Sequence, residues 1–228
     1  NGWKFKRADV KNAHKAKFKD ADWLDVNIPH DYNGGSDGVH NDVFNGRFDF
    51  KNDLDKRLMY KGVGWYRTRF NIDDKFKDKR VFLKFEAVSL KAEVWINGKL
   101  VGNHKGGYTA FEFDITDYVN FKKPNVLAVK ADNSNDPTVA PWMKDESKSF
   151  PFSFDYAVYG GIYRDVTLSI TNNVRIEKVF NTPVSGAQAP TSVSIDTYVK
   201  NYSKKEKEVT LNTTIIDPNG KELSQLTT

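Results

Sequence analysis

A chain of 228 residues with 39% hydrophobic and 14% aromatic residues can bury a real core, and it is long for one sandwich domain, so one complete domain plus part of another is expected. It has no cysteine, which excludes a disulfide framework and any thiolate metal site, and no run approaching 18 apolar residues, which excludes a membrane-spanning helix. The net charge of +5 comes from lysines scattered beside acids, as in KFKDAD and KKEKE, where a nucleic-acid partner would want one contiguous basic stripe.

The chain opens on WKFK and continues through a lysine-rich helical or irregular piece to Lys19, then DADWLDVNIPHDY. Pro29 blocks a helix, and Asp31 with Asn33-Gly34-Gly35 supplies turn chemistry. From Gly34 to Gly62 the sequence is polar, glycine-bearing and without sustained period. An excursion of this length is either functional or an idle surface loop.

Strands follow. Trp65 to Ile72 precedes a charged turn, Val81, Leu83, Phe85 and Ala87 alternate, and Ala92, Val94 and Ile96 alternate again. Asn97-Gly98 tolerates the positive φ of a type I′ turn and predicts a hairpin into KLVG. Ala110 to Ile115 and Val126 to Lys130 complete the series. Short strands at near-regular spacing with almost no helical period predict an all-β, antiparallel jelly-roll β-sandwich.

A second polar stretch runs from Asp132 to Gly161, with three prolines and six aromatics, Trp142 among them. Such rings either cover the apolar face of a sugar, with Asp132, Asn133 and other polar groups meeting its hydroxyls, or pin a long loop to the sandwich. The stretch ends at Gly160-Gly161, where the backbone can turn sharply or pack closely. Ile162, Val166, Leu168 and Ile170 then predict a half-buried strand.

After Asn172-Asn173 the alternation restarts. Pro183 to Pro190 reads as a loop, Val193 to Val199 and Val209 to Ile215 as strands, and Asp217-Pro218-Asn219-Gly220 as a turn. The expected division is residues 1–172 and 173–228.

YGGIYRDV resembles the closing strand of the N-terminal sugar-binding domain of family 2 glycoside hydrolases, the group of beta-galactosidases, beta-glucuronidases and beta-mannosidases. WKF, DADWLDVNIPHDY, GVGWYRTRF, VWINGKLVG, GGYTAFEFDIT and ADNS agree with it in order. The galactosidase-like members are most similar, through PHDY followed by a long excursion into GVGWYR. The resemblance implies that residues 173–228 begin an immunoglobulin-like β-sandwich that this stretch leaves incomplete. It also implies that the two catalytic glutamates belong to a barrel domain of the same chain, outside these residues.

Glycoside hydrolysis needs two carboxyl groups about 5 to 10 Å apart. Glu86, Glu93 and Glu112 read instead as solvent-face strand residues, so no catalytic residue is expected here. The resemblance implies that Asp155, in the loop before the closing strand, reaches the sugar directly or through a bound cation; Asp132 is the alternative. The expected sugar-binding set is Asp155, Asp132, Asn133, His30 and Trp142. No histidine spacing suggests a metal site, and no cofactor beyond that cation is implied.

The partners implied are a beta-galactoside-like carbohydrate and the barrel domain, with a homo-oligomer left open. No leader is visible ahead of Asn1-Gly2-Trp3, one having been either removed or never present; a periplasmic or secreted location is expected ahead of a cytoplasmic one. The competing reading is a free-standing carbohydrate-binding module without hydrolase activity.

Overall fold

The computed structural model describes residues 2–32, 61–134, 136, 138–139, 159–185 and 190–228. Among these the chain is all-β, as the alternation implies, with helix limited to a single 3-10 turn at Asp74–Phe76. It divides into two compact units, Asn1–Ile170 and Thr171–Thr228.

The first unit contains β1 (Trp3–Lys6), β2 (Leu24–Val26), β3 (Val63–Phe70), β4 (Arg80–Phe85), β5 (Lys91–Ile96), β6 (Lys99–Lys105), β7 (Phe111–Asp114), β8 (Asn125–Asp132) and β9 (Val166–Thr171). A six-stranded sheet runs β2-β1-β3-β8-β5-β6 and a three-stranded sheet runs β7-β4-β9. β1 pairs antiparallel with β2 and β3, β8 with β3 and β5, β5 with β6, and β4 with β7. Alternation sends Phe5, Tyr66, Val94, Leu127 and Val129 inward from the large sheet to meet Val81, Leu83 and Phe85 from the small one. This is the core of a jelly-roll sandwich.

β3 and β8 are buried on both faces, because residues 8–23 fold over the outside of the large sheet as a succession of turns. The outward residues Trp65 and Ala128 form a second apolar cluster with Ala13 and Trp23 from that cover. Arg67, outward on β3 and fully buried, donates from Nε to Asp20 at 2.8 Å and from another guanidinium nitrogen to the Ala13 carbonyl. The helical alternative for this stretch therefore gives way to the irregular one, and its buried charge is compensated.

Asn97 (φ 53°) and Gly98 (φ 85°) form the expected turn between β5 and β6. The Glu86 and Glu93 carboxylates lie at the surface near Lys84 and Lys130 respectively. His104 bonds Thr109 Oγ1 at 2.9 Å and stacks on Phe111 at 4.2 Å, a structural role.

The second unit holds two antiparallel ribbons, β10 (Val174–Ser185) with β11 (Pro190–Asn201), and β12 (Asn212–Ile216) with β13 (Glu222–Thr227). Pro183, expected to open a loop, instead pairs with Val193 inside the first ribbon, and the strand runs on to Ser185. Asp217 makes the predicted turn, its Oδ1 accepting from the Asn219 and Lys221 N–H groups, both at 2.8 Å.

Candidate functional site

The ends of both long polar stretches meet at one end of the first unit. The first stretch leaves at Tyr32 and returns at Gly62; the second leaves at Asn133 and returns at Tyr159. Tyr32 N–H donates to the Gly160 carbonyl (2.9 Å) and its hydroxyl to the Gly62 carbonyl (3.0 Å). Gly62 N–H donates to Asn133 Oδ1 (2.8 Å), and Gly160 N–H to Asp31 Oδ1 (2.8 Å). The four stems are thus cinched together by one backbone–backbone bond and by three bonds from the side chains of Tyr32, Asn133 and Asp31.

The cinch depends on glycine. Tyr32 is fully buried, stacks on Phe5 at 5.7 Å and occupies the space that a Cβ on Gly160 would need. Gly161 has φ +103°, and a Cβ there would collide with the Tyr66 hydroxyl. Close packing and a special backbone angle thus both operate at the paired glycines.

His30 is buried beside this junction. Its N–H donates to the Ile162 carbonyl (2.8 Å), its ring Nδ1 shares a hydrogen bond with the Tyr66 hydroxyl (2.7 Å), and it packs on Phe5. Asn133 is also buried and bonded on both sides of Gly62, its own N–H reaching the Gly62 carbonyl at 3.2 Å. Asp132 meets Lys91 at 3.0 Å and accepts from the Ser134 N–H at 2.8 Å. Burial alone would raise its pKa, but the Ser134 bonds and Lys91 outweigh that and hold it below the usual carboxylate value. These three candidates make structural contacts that fix the stems. Asp155 and Trp142 lie outside the described residues.

Next to the cinch is a recess of about 370 Å³ lined by Pro29, His30, Asp31, Tyr159, Tyr163 and Arg164. The sequence assigns Asp31 only turn chemistry and places neither Tyr32 nor Arg164 in the expected sugar-binding set, although PHDY and IYRDV carried the signal. Arg164 and Asp165 make separate contacts: Arg164 lies over the Tyr163 ring, while the Asp165 carbonyl accepts from Glu86 N–H. Among the described residues no group of three His, Asp or Glu side chains could hold a metal ion.

A jelly roll with the stems of two long polar stretches joined in this way is a β-sandwich of a kind found among lectin domains. Residues 3–172 match the sugar binding domain of glycosyl hydrolases family 2, and the chain belongs to that family. It is 34% identical over 179 residues to a beta-galactosidase of Thermoanaerobacter pseudethanolicus, covering 78% of this chain and 21% of that protein. It is 27% identical over 232 residues to a beta-glucuronidase of Formosa agariphila, covering 96% and 22% respectively. Bacteroides uniformis beta-glucuronidase 2 superposes with a TM-score of 0.78 at 31% identity, over 100% of this chain and 25% of that one. The chain therefore spans about a fifth to a quarter of the length of these relatives.

Proposed function

We propose that this chain is the N-terminal, non-catalytic portion of a glycoside hydrolase that cleaves O-glycosidic bonds of beta-galactoside-like substrates in a separate barrel domain. It helps form the substrate pocket and buttresses the barrel. The observation that carries this reading is the shared cinch: Tyr32, Gly62, Asn133 and Gly160 bring the stems of both polar stretches to one end of the sandwich. A site that contributes a wall to a pocket needs its loops held together, because ordering them on binding would cost affinity. The relatives' names, beta-galactosidase and beta-glucuronidase, support a beta-linked sugar substrate.

In this reading Asp155 accepts hydrogen bonds from a sugar hydroxyl, directly or through a cation, whereas Asp132 stabilises the stem through Lys91 and Ser134. A hydrogen bond to a charged group contributes about 1.5 to 3 kcal/mol, so Asp155→Asn in the intact enzyme should lower kcat/KM about ten- to a hundredfold. Asp132→Asn should lower the melting temperature with a smaller kinetic effect. The 228-residue chain by itself should not hydrolyse aryl beta-galactosides. Hydrolysis by the purified chain, or unchanged kinetics in Asp155→Asn, would overturn the respective assignment.

A further inference from the structure

The same tripeptide occurs twice among the described residues, as Asn97-Gly98-Lys99 and as Asn219-Gly220-Lys221. An asparagine followed by glycine is chemically labile, because the next backbone nitrogen can attack the side-chain carbonyl carbon and a glycine leaves that nitrogen unshielded by a Cβ. The residue after the asparagine governs the intrinsic rate of this attack. It is the same in both runs, so a difference between them comes from the fold.

The fold treats the two asparagines oppositely. The half-buried Asn97 donates from its side-chain nitrogen to the Tyr118 carbonyl (2.9 Å) and Asn125 Oδ1 (2.8 Å), and its side-chain oxygen accepts from Val126 N–H (3.0 Å). Its neighbour Gly98 is crowded, since a Cβ there would lie 3.4 Å from the Ala16 nitrogen. Swinging the Asn97 side chain onto the Gly98 nitrogen would break three hydrogen bonds at once. Asn219 is exposed at the tip of the β12–β13 ribbon, and its side chain makes no hydrogen bond among the described residues. A Cβ built on Gly220 would meet nothing within 4 Å, so the attacking nitrogen stands in open space. What restrains it is the turn itself, whose Gly220 N–H donates to the Asp217 carbonyl at 3.0 Å. That bond closes a ribbon in which Leu223 and Leu226 are 61% and 65% exposed, so little burial opposes its local opening.

We propose that Asn219 is a site of spontaneous deamidation, and that its counterpart Asn97 is protected by its hydrogen bonds. The Gly220 nitrogen loses its proton and bonds to the Asn219 side-chain carbonyl carbon; the side-chain nitrogen leaves with its two hydrogens and that proton as ammonia, closing a succinimide. Solvent water then cleaves either carbonyl–nitrogen bond of the ring. Cleavage at the side-chain carbonyl gives aspartate, and cleavage at the main-chain carbonyl gives isoaspartate; nothing is oxidised or reduced. Isoaspartate lengthens the main chain by one atom in a turn whose geometry is set by the Asn219 and Lys221 N–H groups donating to Asp217 Oδ1. Either product also places a new carboxylate close to that of Asp217. The modification therefore loosens the β12–β13 ribbon. This inference goes beyond the pocket-wall reading and does not depend on it.

The test is to incubate the 228-residue chain in mildly alkaline buffer, digest it, and follow both sites by peptide mass spectrometry, with isoaspartyl methyltransferase labelling to separate isoaspartate from aspartate. Asn219 should convert at least about tenfold faster than Asn97, because Asn97 must give up three hydrogen bonds and Asn219 only the turn bond. The Asn219 rate should rise with pH, since the attacking nitrogen must lose its proton. In denaturant the two rates should converge. Equal rates in the folded chain, or a difference that persists in denaturant, would overturn the proposal, the latter by tracing the contrast to sequence neighbours rather than to the fold. Hydrogen exchange of the incubated chain should show faster exchange in β12 and β13 with β3 unchanged. Asn219→Gln, whose longer side chain closes such a ring far more slowly, should keep the ribbon's protection through the same incubation. If the incubated Asn219→Gln chain loses that protection equally, the loosening has another cause and the proposed consequence falls.

Discussion

At the scale of single residues, the most consequential side chain is one that chemistry would ordinarily keep at the surface. Arg67 is fully buried under the 8–23 cover, and Asp20 holds it at 2.8 Å while also meeting Arg69 at 3.2 Å. Burial raises the Asp20 pKa, but Arg67 and Arg69 outweigh it and hold the carboxyl below its ordinary value of 3.8. The unfolded chain therefore binds this proton more readily, and the pair's stabilisation is present above that ordinary value and lost as pH falls through the depressed one. Asp20→Asn leaves the Arg67 charge buried and should cost about 3 to 5 kcal/mol at neutral pH, with less of the acid-side loss seen in the parent. Denaturant titrations from pH 2.5 to 7 check both. Gly160→Ala belongs to the same scale: its methyl would meet the Tyr32 ring and should cost about 1 to 3 kcal/mol. The cost should shrink when Tyr32→Leu is already present, because neighbours in contact are not additive. Thermal unfolding of the three variants measures it.

At the scale of elements, strand identity was legible wherever one face is buried, since the two-residue period survives in Val81 to Phe85 and Ala92 to Ile96. The cover over residues 8–23 was not legible, because it is irregular and its apolar residues, Ala13 and Trp23, have no common period. Leu168 illustrates the limit of periodicity: it alternates with its neighbours yet is 37% exposed, on a strand that pairs with β4 at the margin of the small sheet. In the candidate site, Asp31 of PHDY was readable as part of a turn and the paired glycines as a sharp turn or a close approach. The bonds from Tyr32 to Gly62 and from Gly62 to Asn133 were not, as they join residues 30 and 71 positions apart. Asn97 shows how a correct local signal understates a residue. Its side chain also donates to the Tyr118 carbonyl (2.9 Å) and Asn125 Oδ1 (2.8 Å) and accepts from Val126 N–H (3.0 Å). Glycine supports the same turn, so a residue serving only the turn would tolerate Asn97→Gly. Losing three hydrogen bonds instead should destabilise the first unit by about 2 to 3 kcal/mol, read as a shift in denaturant midpoint.

At the scale of the whole chain, the two units differ in how much apolar surface they bury. The first encloses a contiguous core in which Phe5, Tyr66, Phe85, Val94 and Val129 are fully buried. In the second, Phe180, Tyr198, Ile216, Leu223 and Leu226 each remain more than half exposed. Burial of apolar area is the dominant favourable term in folding, so the ribbons of the second unit have less holding their backbone hydrogen bonds closed. Local opening should then differ between the units even though both are strand-rich. Hydrogen exchange of the 228-residue chain should find the β3, β5 and β8 amides the slowest, because those strands lie side by side at the centre of the large sheet. The amides of β12 and β13 should exchange at least about a hundredfold faster, equivalent to an opening free energy lower by about 2.7 kcal/mol. The two sets should also respond differently to Asp20→Asn, which would speed exchange in β3 and leave β12 and β13 unchanged. Equal protection in both units, or loss of protection in β13 on Asp20→Asn, would mean that the chain opens as one cooperative body rather than two.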